Sequence, residues 1–221
     1  MSYRIARFLI NIIIRLIARY EIHGFEHVPT SGSYIIAANH VGRLEVPIVY
    51  VVLKRDDIIM LVAEKYRENR FFDWFVKRLD GIYIDRFNAD FAAMRETLRR
   101  LQKGGVLVMA PEGTRSQTGA LMEGRDGASY LASRSGVPVI PVGVAGTRDR
   151  EVVANLKRLR RTKITVNIGQ SFILAPLKSQ EREEKLKEYT EEIMCQIAAL
   201  LPEDYRGIYA DRPRVKELIS D

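Results

Sequence analysis

A histidine and a carboxylic acid follow directly on an apolar run that suits a buried strand. The run is Tyr34 to Ala38, and His40 and Glu45 come after it with four residues between them. Leu44 to Pro47 suits the start of a helix, with the acid in its first turn. A carboxylate beside an imidazole can hold one tautomer and stabilise the imidazolium that forms when the ring removes a proton. The pattern indicates general-base catalysis, and the alternative is a turn histidine followed by a helix-start acid.

A second apolar run, Val106 to Ala110, leads into a polar loop that could hold an anion. The loop reads Pro-Glu-Gly-Thr-Arg-Ser over residues 111–116. Glycine lets backbone N–H groups approach a ligand, the hydroxyls of Thr114 and Ser116 add donors, and the guanidinium of Arg115 matches a phosphate. The loop lacks the Gly-Lys-Ser/Thr sequence of a nucleotide P-loop, and an ordinary turn is the alternative interpretation.

A third short strand also ends in charge. Gly81 to Ile84 suits a strand, and Asp85 and Arg86 follow it. Arg86 is either a second phosphate ligand or a surface arginine, and the pattern favours neither.

The elements that must position these loops alternate along the chain. Strand patterns lie near 34–38, 58–63, 82–84, 106–110, 139–145 and 163–168, and helical patterns lie near 45–53, 71–79, 90–102, 127–135 and 180–201. This alternation predicts an α/β fold: a single domain with a mostly parallel central sheet flanked by helices, preceded by an N-terminal amphipathic helix. In such a sheet, chemistry collects at the carboxyl ends of the strands.

The length and composition suit one folded unit. The chain has 221 residues, of which 47% are hydrophobic, enough to bury a core without a second domain. We predict an amphipathic helix over 1–20, a folded domain over 21–201 and a polar C-terminal tail over 202–221. Cys195 is the only cysteine and lies in an apolar helical stretch, so we predict a buried, inert thiol. A single cysteine cannot form an internal disulfide, which fits a reducing cytosol.

Four blocks, taken in order, resemble the glycerolipid (lysophospholipid) acyltransferase family of the 1-acylglycerol-3-phosphate acyltransferase type. Asn39 to Glu45 corresponds to the family's Asn-His-x-x-x-x-Asp, and Gly81 to Arg86 corresponds to its block of glycine, apolar residues and arginine. Residues 111–116 match the family's Pro-Glu-Gly-Thr-Arg-Ser without a change, and Val137 to Val142 matches its apolar Pro-x-x-Pro-Val block. The resemblance extends from about Tyr20 to Val144.

The resemblance implies that residues 21–201 form an acyltransferase domain. It implies that His40 is the general base on a hydroxyl of a lysophosphatidic acid or related lysolipid, and that Glu45 orients and stabilises His40. The hydroxyl would attack the thioester of acyl-CoA or acyl carrier protein, a co-substrate, with no metal and no bound cofactor. The residues implied to line the acceptor site are Arg86, Glu112, Gly113, Thr114, Arg115 and Ser116.

Several positions depart from the family pattern. Glu45 replaces the usual aspartate, and its extra methylene moves the carboxylate by about one bond length. The other departures are Gly42 for a frequent serine, the uncommon cation Arg43, Asp80 for a frequent glycine and Ala110 for a common phenylalanine. An alternative function is therefore a catalytically weak lipid- or phosphate-binding homologue at the membrane surface, although retention of His40 favours the enzyme.

The N-terminus suggests where the protein works. Residues 2–20 read as a helix with a cationic stripe and a broad apolar face, the stripe being Arg4, Arg7, Asn11, Arg15, Ala18 and Arg19. The longest uncharged run, Phe8 to Ile14, is far below the roughly 18 to 20 residues that span a bilayer. We predict an interfacial helix on anionic lipid and a cytoplasmic protein, peripheral on the membrane surface. A helix packed on the protein core is the alternative.

The charge of the chain points to anionic partners. The formal net charge is +7, and Lys157 to Lys163 is a concentrated basic run. Such a surface attracts phospholipid headgroups, an acidic acyl carrier protein or the phosphates of coenzyme A, whereas a solvated loop is the alternative. Nucleic acid is disfavoured, because no recognition helix, zinc-ligand set or base-stacking motif accompanies the run.

The sequence lacks the motifs of serine hydrolases, dinucleotide-binding proteins and Cys/His metal sites. It contains no Gly-x-Ser-x-Gly elbow, no Gly-x-Gly-x-x-Gly loop and no Cys/His metal spacing. His23 and His27 have four-residue spacing, but Gly24 and Pro29 argue against the helix that would align them, so a strand or turn role is favoured.

Overall fold

Helices and strands alternate through most of the chain. The computed structural model describes residues 3–53, 55–86, 88, 90–177 and 182–220. The strands are β1 (Ala18–His23), β2 (Tyr34–Ala38), β3 (Ile58–Ala63), β4 (Ile82–Ile84), β5 (Val106–Met109), β6 (Val139–Ala145) and β7 (Thr162–Ile168). The α-helices are α1 (Tyr3–Ile17), α2 (Glu45–Leu53), α3 (Arg70–Arg78), α4 (Phe91–Gln102), α5 (Gly127–Ser135), α6 (Asp149–Lys157), α7 (Arg182–Ala199) and α8 (Pro213–Ser220).

Seven strands of these residues form one sheet in the order β1-β7-β6-β2-β5-β3-β4. Strand β2 is parallel to β5 and β6, and β3 is parallel to β5 and β4. Strand β7 is antiparallel to β6, and β1 is parallel to β7. The prediction of a mostly parallel α/β sheet is therefore confirmed. The carboxyl ends of β2 to β6 meet at one edge, together with the amino ends of β1 and β7; we call it the site edge.

The strands with continuous apolar sequence lie where the sequence predicts them. Strands β2, β3, β4 and β6 have the predicted bounds, β5 ends at Met109, and β7 begins at Thr162. All five residues of β2 and all seven of β6 are buried. Strands covered on both faces read as uninterrupted apolar runs, which makes them easy to recognise.

The first strand begins before Tyr20, where a helix was predicted, and the sixth helix was not predicted. The predicted N-terminal helix stops at Ile17, and residues 18–20 belong to β1. Pairs from Ala18↔Thr162 to His23↔Asn167 join β1 to β7, so a distant partner overrides the local helical pattern. Helix α6 has no buried residue, so its sequence carries no core-facing stripe. The predicted start of the first helix at Ser2 and of the last at Gln180 lie outside the described residues.

The sheet has an apolar core on each face. Alternate residues of β2 point to opposite faces, as the period of a strand requires. Ile35 and Ala37 pack with residues of α4, α5, α7 and α8, whereas Tyr34, Ile36 and Ala38 pack with residues of α1 and α2. Helices α1 and α2 therefore cover one face of the sheet, and α4, α5, α7 and α8 cover the other.

The C-terminal residues pack on the domain. The prediction of a polar tail is wrong for residues 203–220, in which Tyr205, Tyr209 and Val215 are buried. The hydroxyl of Tyr205 accepts a hydrogen bond from the N–H of Gly146 at 2.9 Å, and α8 packs against α7. The segment is polar on average, but three well-spaced side chains anchor it to the core. Asp221 lies outside the described residues.

Cys195 lies in α7 within the core. Its side chain is fully buried, as predicted, and removal from water raises the pKa of the thiol to about 12. A thiol that stays protonated is a poor nucleophile.

Helix α1 has an inner and an outer face. Ile10, Ile14 and Ile17 pack toward the sheet. The outer face is apolar and exposed, and it consists of Phe8, Leu9, Ile12, Ile13 and Leu16. In the part of the chain that the structure describes, no helix has the length and apolar character needed to cross a membrane.

Some residues of the expected cationic stripe of α1 make contacts within the protein. Arg7 donates to Asp56 Oδ1 at 2.9 Å and lies over the ring of Tyr50, so it joins α1 to the end of α2. Asn11 accepts hydrogen bonds from Arg15 and Tyr20. Arg15 and Arg19 are exposed, and the Arg4 side chain lies outside the described residues.

Candidate active site

His40 and Glu45 meet at the site edge. His40 follows β2, and Glu45 is the first residue of α2. Nδ1 of His40 lies 2.6 Å from Oε2 of Glu45. This contact favours the tautomer with the hydrogen on Nδ1 and leaves Nε2 as the atom that can accept a proton. The His40 side chain is 27% exposed, so a substrate can reach it from the solvent side.

The turn between the two residues is shaped around the longer acid. Oε1 of Glu45 accepts the N–H groups of Val41 at 3.0 Å and Gly42 at 2.8 Å, and the hydroxyl of Thr147 at 2.5 Å. Glu45 is buried, so these donors replace water around its carboxyl group. Its extra methylene is thus accommodated by donors from two separate loops.

Gly42 packs directly against Thr147. A Cβ atom on Gly42 would lie 1.8 Å from the carbonyl oxygen of Thr147, so any side chain here would force the two loops apart. The serine that the resembling family often carries at this position does not fit this backbone. The close approach brings the Thr147 hydroxyl within reach of Glu45.

Asn39 fixes the start of the turn. Its side-chain amide donates to the carbonyl of Val144 at 2.9 Å and accepts the N–H of Val144 at 2.7 Å. Asn39 is buried, and it joins the end of β2 to β6 like one further ladder pair. The asparagine of the Asn-His motif is therefore structural in this protein.

Glu112 lies beneath the loop at 111–116 and supports His40. It is 1% exposed, its Oε1 accepts the N–H of His40 at 2.9 Å, and its Oε2 accepts the N–H of Met122 at 3.0 Å. Burial raises the pKa of this carboxyl group to about 7, although the two N–H donors lower it. Both oxygens are used within the protein, so Glu112 lies behind the expected acceptor site.

The rest of the loop makes a second connection to His40. The N–H of Ser116 donates to the carbonyl of His40 at 2.8 Å, and the hydroxyl of Ser116 accepts the N–H of Gly119 at 3.2 Å. Ser116 is buried, whereas Gly113 and Thr114 are half-buried at the turn. Gly113 has φ of 70°, a left-handed conformation that suits glycine.

Arg86 joins the loop after β4 to the loop after β5. Its Nη1 donates to the carbonyl of Gly113 at 3.0 Å, and its own carbonyl accepts Nη1 of Arg125 at 2.6 Å. The half-buried Arg86 thus shapes the loop of residues 111–116 from the side. The structure brings Arg86 to the same site as Arg115, but Arg86 donates to the backbone of the loop, whereas Arg115 lies near a carboxylate at the surface.

Arg115 lies at the mouth of the site. Its side chain is 37% exposed, and its Nη1 lies 3.5 Å from Oδ2 of Asp149. Oδ1 of Asp149 accepts the N–H of Arg43 at 3.0 Å. Nε of Arg43 also lies 3.6 Å from Oδ2 of Asp149. The two guanidinium groups therefore share one carboxylate, which leaves a net positive charge at the entrance.

The structure gives no support to a metal site at the histidines. Among the described residues, no group of three or more His, Cys, Asp and Glu side chains is arranged to hold a metal ion. His23 ends β1, and Nδ1 of His27 lies 2.9 Å from the carbonyl oxygen of Ile168.

Two residues of the site were missed by the sequence analysis, Thr147 and Asp149. Both follow β6, whose carboxyl end lies beside that of β2. Their sequence context carries no motif. The signal that could have found them is topological, because polar residues after neighbouring parallel strands share one edge of the sheet.

Comparisons with known proteins find related sequences and a related fold. The family model described as acyltransferase matches residues 19–145, more than half of the chain. The 1-acyl-sn-glycerol-3-phosphate acyltransferase of Bacillus subtilis (strain 168) is 20% identical over 198 residues, which cover 90% of this chain and 96% of the relative. The 1-acyl-sn-glycerol-3-phosphate acyltransferase of Cocos nucifera is 28% identical over 191 residues, 85% of this chain and 59% of that protein.

A solved structure shares the fold. It is the crystal structure of the 1-acyl-sn-glycerophosphate (LPA) acyltransferase PlsC from Thermotoga maritima, with a TM-score of 0.66 and 24% identity. The match covers 86% of this chain and 76% of that one. The chain thus spans nearly all of the bacillus relative and about three fifths of the coconut one.

Proposed function

Because this chain belongs to the acyltransferase family, we propose that it transfers a fatty acyl group from an acyl thioester to the free hydroxyl of a lysophosphatidic acid or a closely related lysolipid. The observation that carries the proposal is the His40–Glu45 contact, held at the site edge beside the loop of residues 111–116. The names of the bacillus and coconut relatives support the choice of acceptor.

His40 is the general base in this proposal. Nε2 removes the proton of the acceptor hydroxyl while the hydroxyl oxygen attacks the thioester carbonyl, so the new ester bond forms as the ring becomes an imidazolium. Glu45 holds the ring through Nδ1 and stabilises the positive charge. The tetrahedral intermediate then collapses to the ester as its C–S bond breaks, and the departing thiolate takes the proton from Nε2. Such assistance is typically worth about two to four orders of magnitude in rate.

The acceptor's phosphate binds at the mouth of the site. Arg115 is the best-placed ligand, because its side chain is partly exposed there. Its ion pair is a long contact of 3.5 Å to one carboxylate oxygen of Asp149, so the guanidinium can still bind a phosphate. A guanidinium can grip a phosphate with two parallel hydrogen bonds. Thr114 and the backbone of Gly113 complete the binding loop, and Arg86 shapes it through the Gly113 carbonyl.

Glu112 and Ser116 have positioning roles. They fix the backbone of His40 from below, through the N–H and carbonyl of that residue. The acyl donor is the thioester of either coenzyme A or acyl carrier protein, both of which are anionic and suit the positive entrance.

The outer face of α1 supports peripheral membrane association. It presents five large apolar side chains, with Arg15 and Arg19 exposed at its end near the site. An apolar helix face flanked by cations binds an anionic lipid interface. Since α1 ends at the site edge, this contact would bring a lysolipid of the membrane close to His40.

The proposal is tested by incubating the purified protein with a panel of lysolipids and with both thioester donors, followed by mass analysis of the products. We expect an acylated product with a phosphorylated acceptor, and its rate of formation should fall by about two to four orders of magnitude in His40→Ala. Binding of a lysolipid without turnover on any donor would instead support the catalytically weak binding protein.

A further inference from the structure

We infer that the turn between α6 and β7 is a second membrane contact, which inserts Leu159 among anionic lipid headgroups. The turn, here called the basic turn, consists of Lys157, Arg158, Leu159, Arg160 and Arg161, and all five residues are exposed. The inference extends the proposed association through α1 to a separate segment of the chain.

Leu159 occupies a position that normally favours glycine. The N–H of Arg160 donates to the carbonyl of Asn155 at 2.9 Å, and the N–H of Leu159 donates to that of Leu156 at 3.0 Å. This is the Schellman pattern that ends a helix, and its left-handed residue is usually glycine. Leu159 has φ of 53°, and leucine adopts this conformation at a cost. Packing within the fold does not offset this cost, because the Leu159 side chain is 96% exposed.

The surroundings of Leu159 match an anionic lipid surface. Leu156 and Val153, which precede it at three-residue spacing on α6, are also exposed. Within the described residues, no carboxylate lies at ion-pair distance from Arg158, Arg160 or Arg161. Apolar side chains surrounded by unpaired cations favour a bilayer interface over an acidic protein, which would need the charge but not the leucine.

The basic turn is continuous with the outer face of α1. Ala18, directly after α1, pairs with Thr162, directly after the basic turn, so the two segments are neighbours at the site edge. Asn155 of α6 donates to the hydroxyl of Thr162 at 3.2 Å. Thr162 has the same strand parity as Ile164, which packs in the core beneath α1, so α6 and α1 contact the same face of the sheet.

The turn is also rigid enough to present its side chains. Asn155 holds it at both ends, by its carbonyl to Arg160 and by its side chain to Thr162. A preformed turn loses little conformational freedom when it binds, which favours insertion.

The test uses the full chain with α1 intact and vesicles of phosphatidylcholine, alone or equimolar with phosphatidylglycerol. Replacing Arg158, Arg160 and Arg161 together by Gln should weaken binding to the anionic vesicles on the order of a hundredfold at low salt, with little effect on neutral ones. The matched control replaces Lys103, Lys187 and Lys216 by Gln, which removes the same charge from other exposed positions. Equal losses in the two triple variants would overturn the inference.

The leucine is tested by Leu159→Asn. Asparagine tolerates the left-handed conformation, so the fold is kept or stabilised, whereas membrane binding should fall by about tenfold on anionic vesicles. Unchanged binding would refute insertion of this side chain. A thermal melt of the variant excludes unfolding as the cause of a loss.

Insertion can also be observed directly. Because Cys195 is buried, an environment-sensitive fluorophore on Leu159→Cys reports on the turn. We expect a blue-shifted, brighter emission with anionic vesicles. No spectral change, or a change on adding acyl carrier protein but not vesicles, would sink the proposal. A failure here leaves acyl transfer to a soluble short-chain lysolipid intact, so it is distinguishable from a failure of the proposed reaction.

Discussion

The hydroxyl of Thr147 donates a 2.5 Å hydrogen bond to Oε1 of Glu45, whose other oxygen lies 2.6 Å from Nδ1 of His40. The three side chains form a chain that joins the loop after β6 to the loop after β2. Thr147 is fully buried, so this hydroxyl has no water to replace its partner. It holds Glu45 in the position that orients His40, and we treat it as a positioning residue.

Thr147→Val should lower kcat by about tenfold, because one hydrogen bond to the carboxyl group is lost without a change in side-chain volume. KM should change little, since Thr147 does not reach the acceptor. Steady-state kinetics of the two parameters provide the measurement. Thr147→Ser keeps the hydroxyl and should recover most of the rate; failure of this rescue would assign Thr147 to packing alone.

His40→Ala should reduce acyl transfer by about two to four orders of magnitude while the protein stays folded. The fold is kept because Glu45 retains the donors of Val41, Gly42 and Thr147. Product formation and circular dichroism are measured on the same preparation. Near-normal turnover in a folded variant would exclude His40 as the base.

Glu45→Asp tests how the dyad is adjusted to its acid. The shorter side chain cannot keep all of its donors on the present backbone, so we expect a loss of about tenfold or more. Glu45→Gln should lose at least as much rate, because a neutral amide stabilises the imidazolium poorly. A large gain in Glu45→Asp would mean that the glutamate is a drifted residue.

Arg115→Ala should raise KM for a phosphorylated acceptor by roughly ten- to a hundredfold, as expected for loss of a charge-assisted contact. An acceptor without phosphate should be affected far less. Arg86→Ala is the comparison, because its guanidinium supports the Gly113 carbonyl and its loss should affect both acceptors. An equal loss on both acceptors for Arg115→Ala would make that residue structural as well.

Glu112 should make the free energy of unfolding depend on pH. Its pKa in the folded state is about 7 against an ordinary value of 4.5, so between these values the folded protein holds a proton that the unfolded chain releases. The contribution of Glu112 to the free energy of unfolding is fully present below about pH 4.5. It falls by about 3 kcal/mol as the pH rises through 7.

Denaturant unfolding curves, recorded about one pH unit apart between about pH 4 and pH 8, measure this dependence. Glu112→Gln should be less stable at low pH by about 1 kcal/mol, since its amide loses one N–H partner. Its stability should vary less with pH than that of the unaltered protein. Parallel pH curves for the two proteins would contradict the raised pKa.

The outer face of α1 is best tested by surface substitutions. Deletion of α1 would remove the buried Ile14 and uncover Ala18 and the other core residues packed against it, so loss of binding could reflect unfolding. Ile13→Gln with Leu16→Gln should weaken co-sedimentation with vesicles by roughly tenfold or more and leave the fold intact. The control, Ile173→Gln with Ile208→Gln, changes equally exposed positions elsewhere. Equal pelleting of both double variants would place the anchor outside α1.

Much of the fold could be read from the sequence, because the central strands are buried on both faces. Strands β2 and β6 appear as uninterrupted apolar runs, and alternating helical patterns lie between them. The contact between His40 and Glu45 could also be predicted, since the two residues are separated by one short turn and their contact is local in the chain. The loop of residues 111–116 was recognised because its composition is unusual.

The tertiary structure decided what depends on distant neighbours. Ala18 to Tyr20 form a strand because β7 supplies hydrogen bonds from more than a hundred residues away. Glu112 and Ser116 support His40 because the sheet places the ends of β2 and β5 side by side. Thr147 reaches Glu45 because Gly42 has no side chain to keep the loops apart. Such contacts depend on backbone approach across the sheet edge, which local residue pattern does not encode.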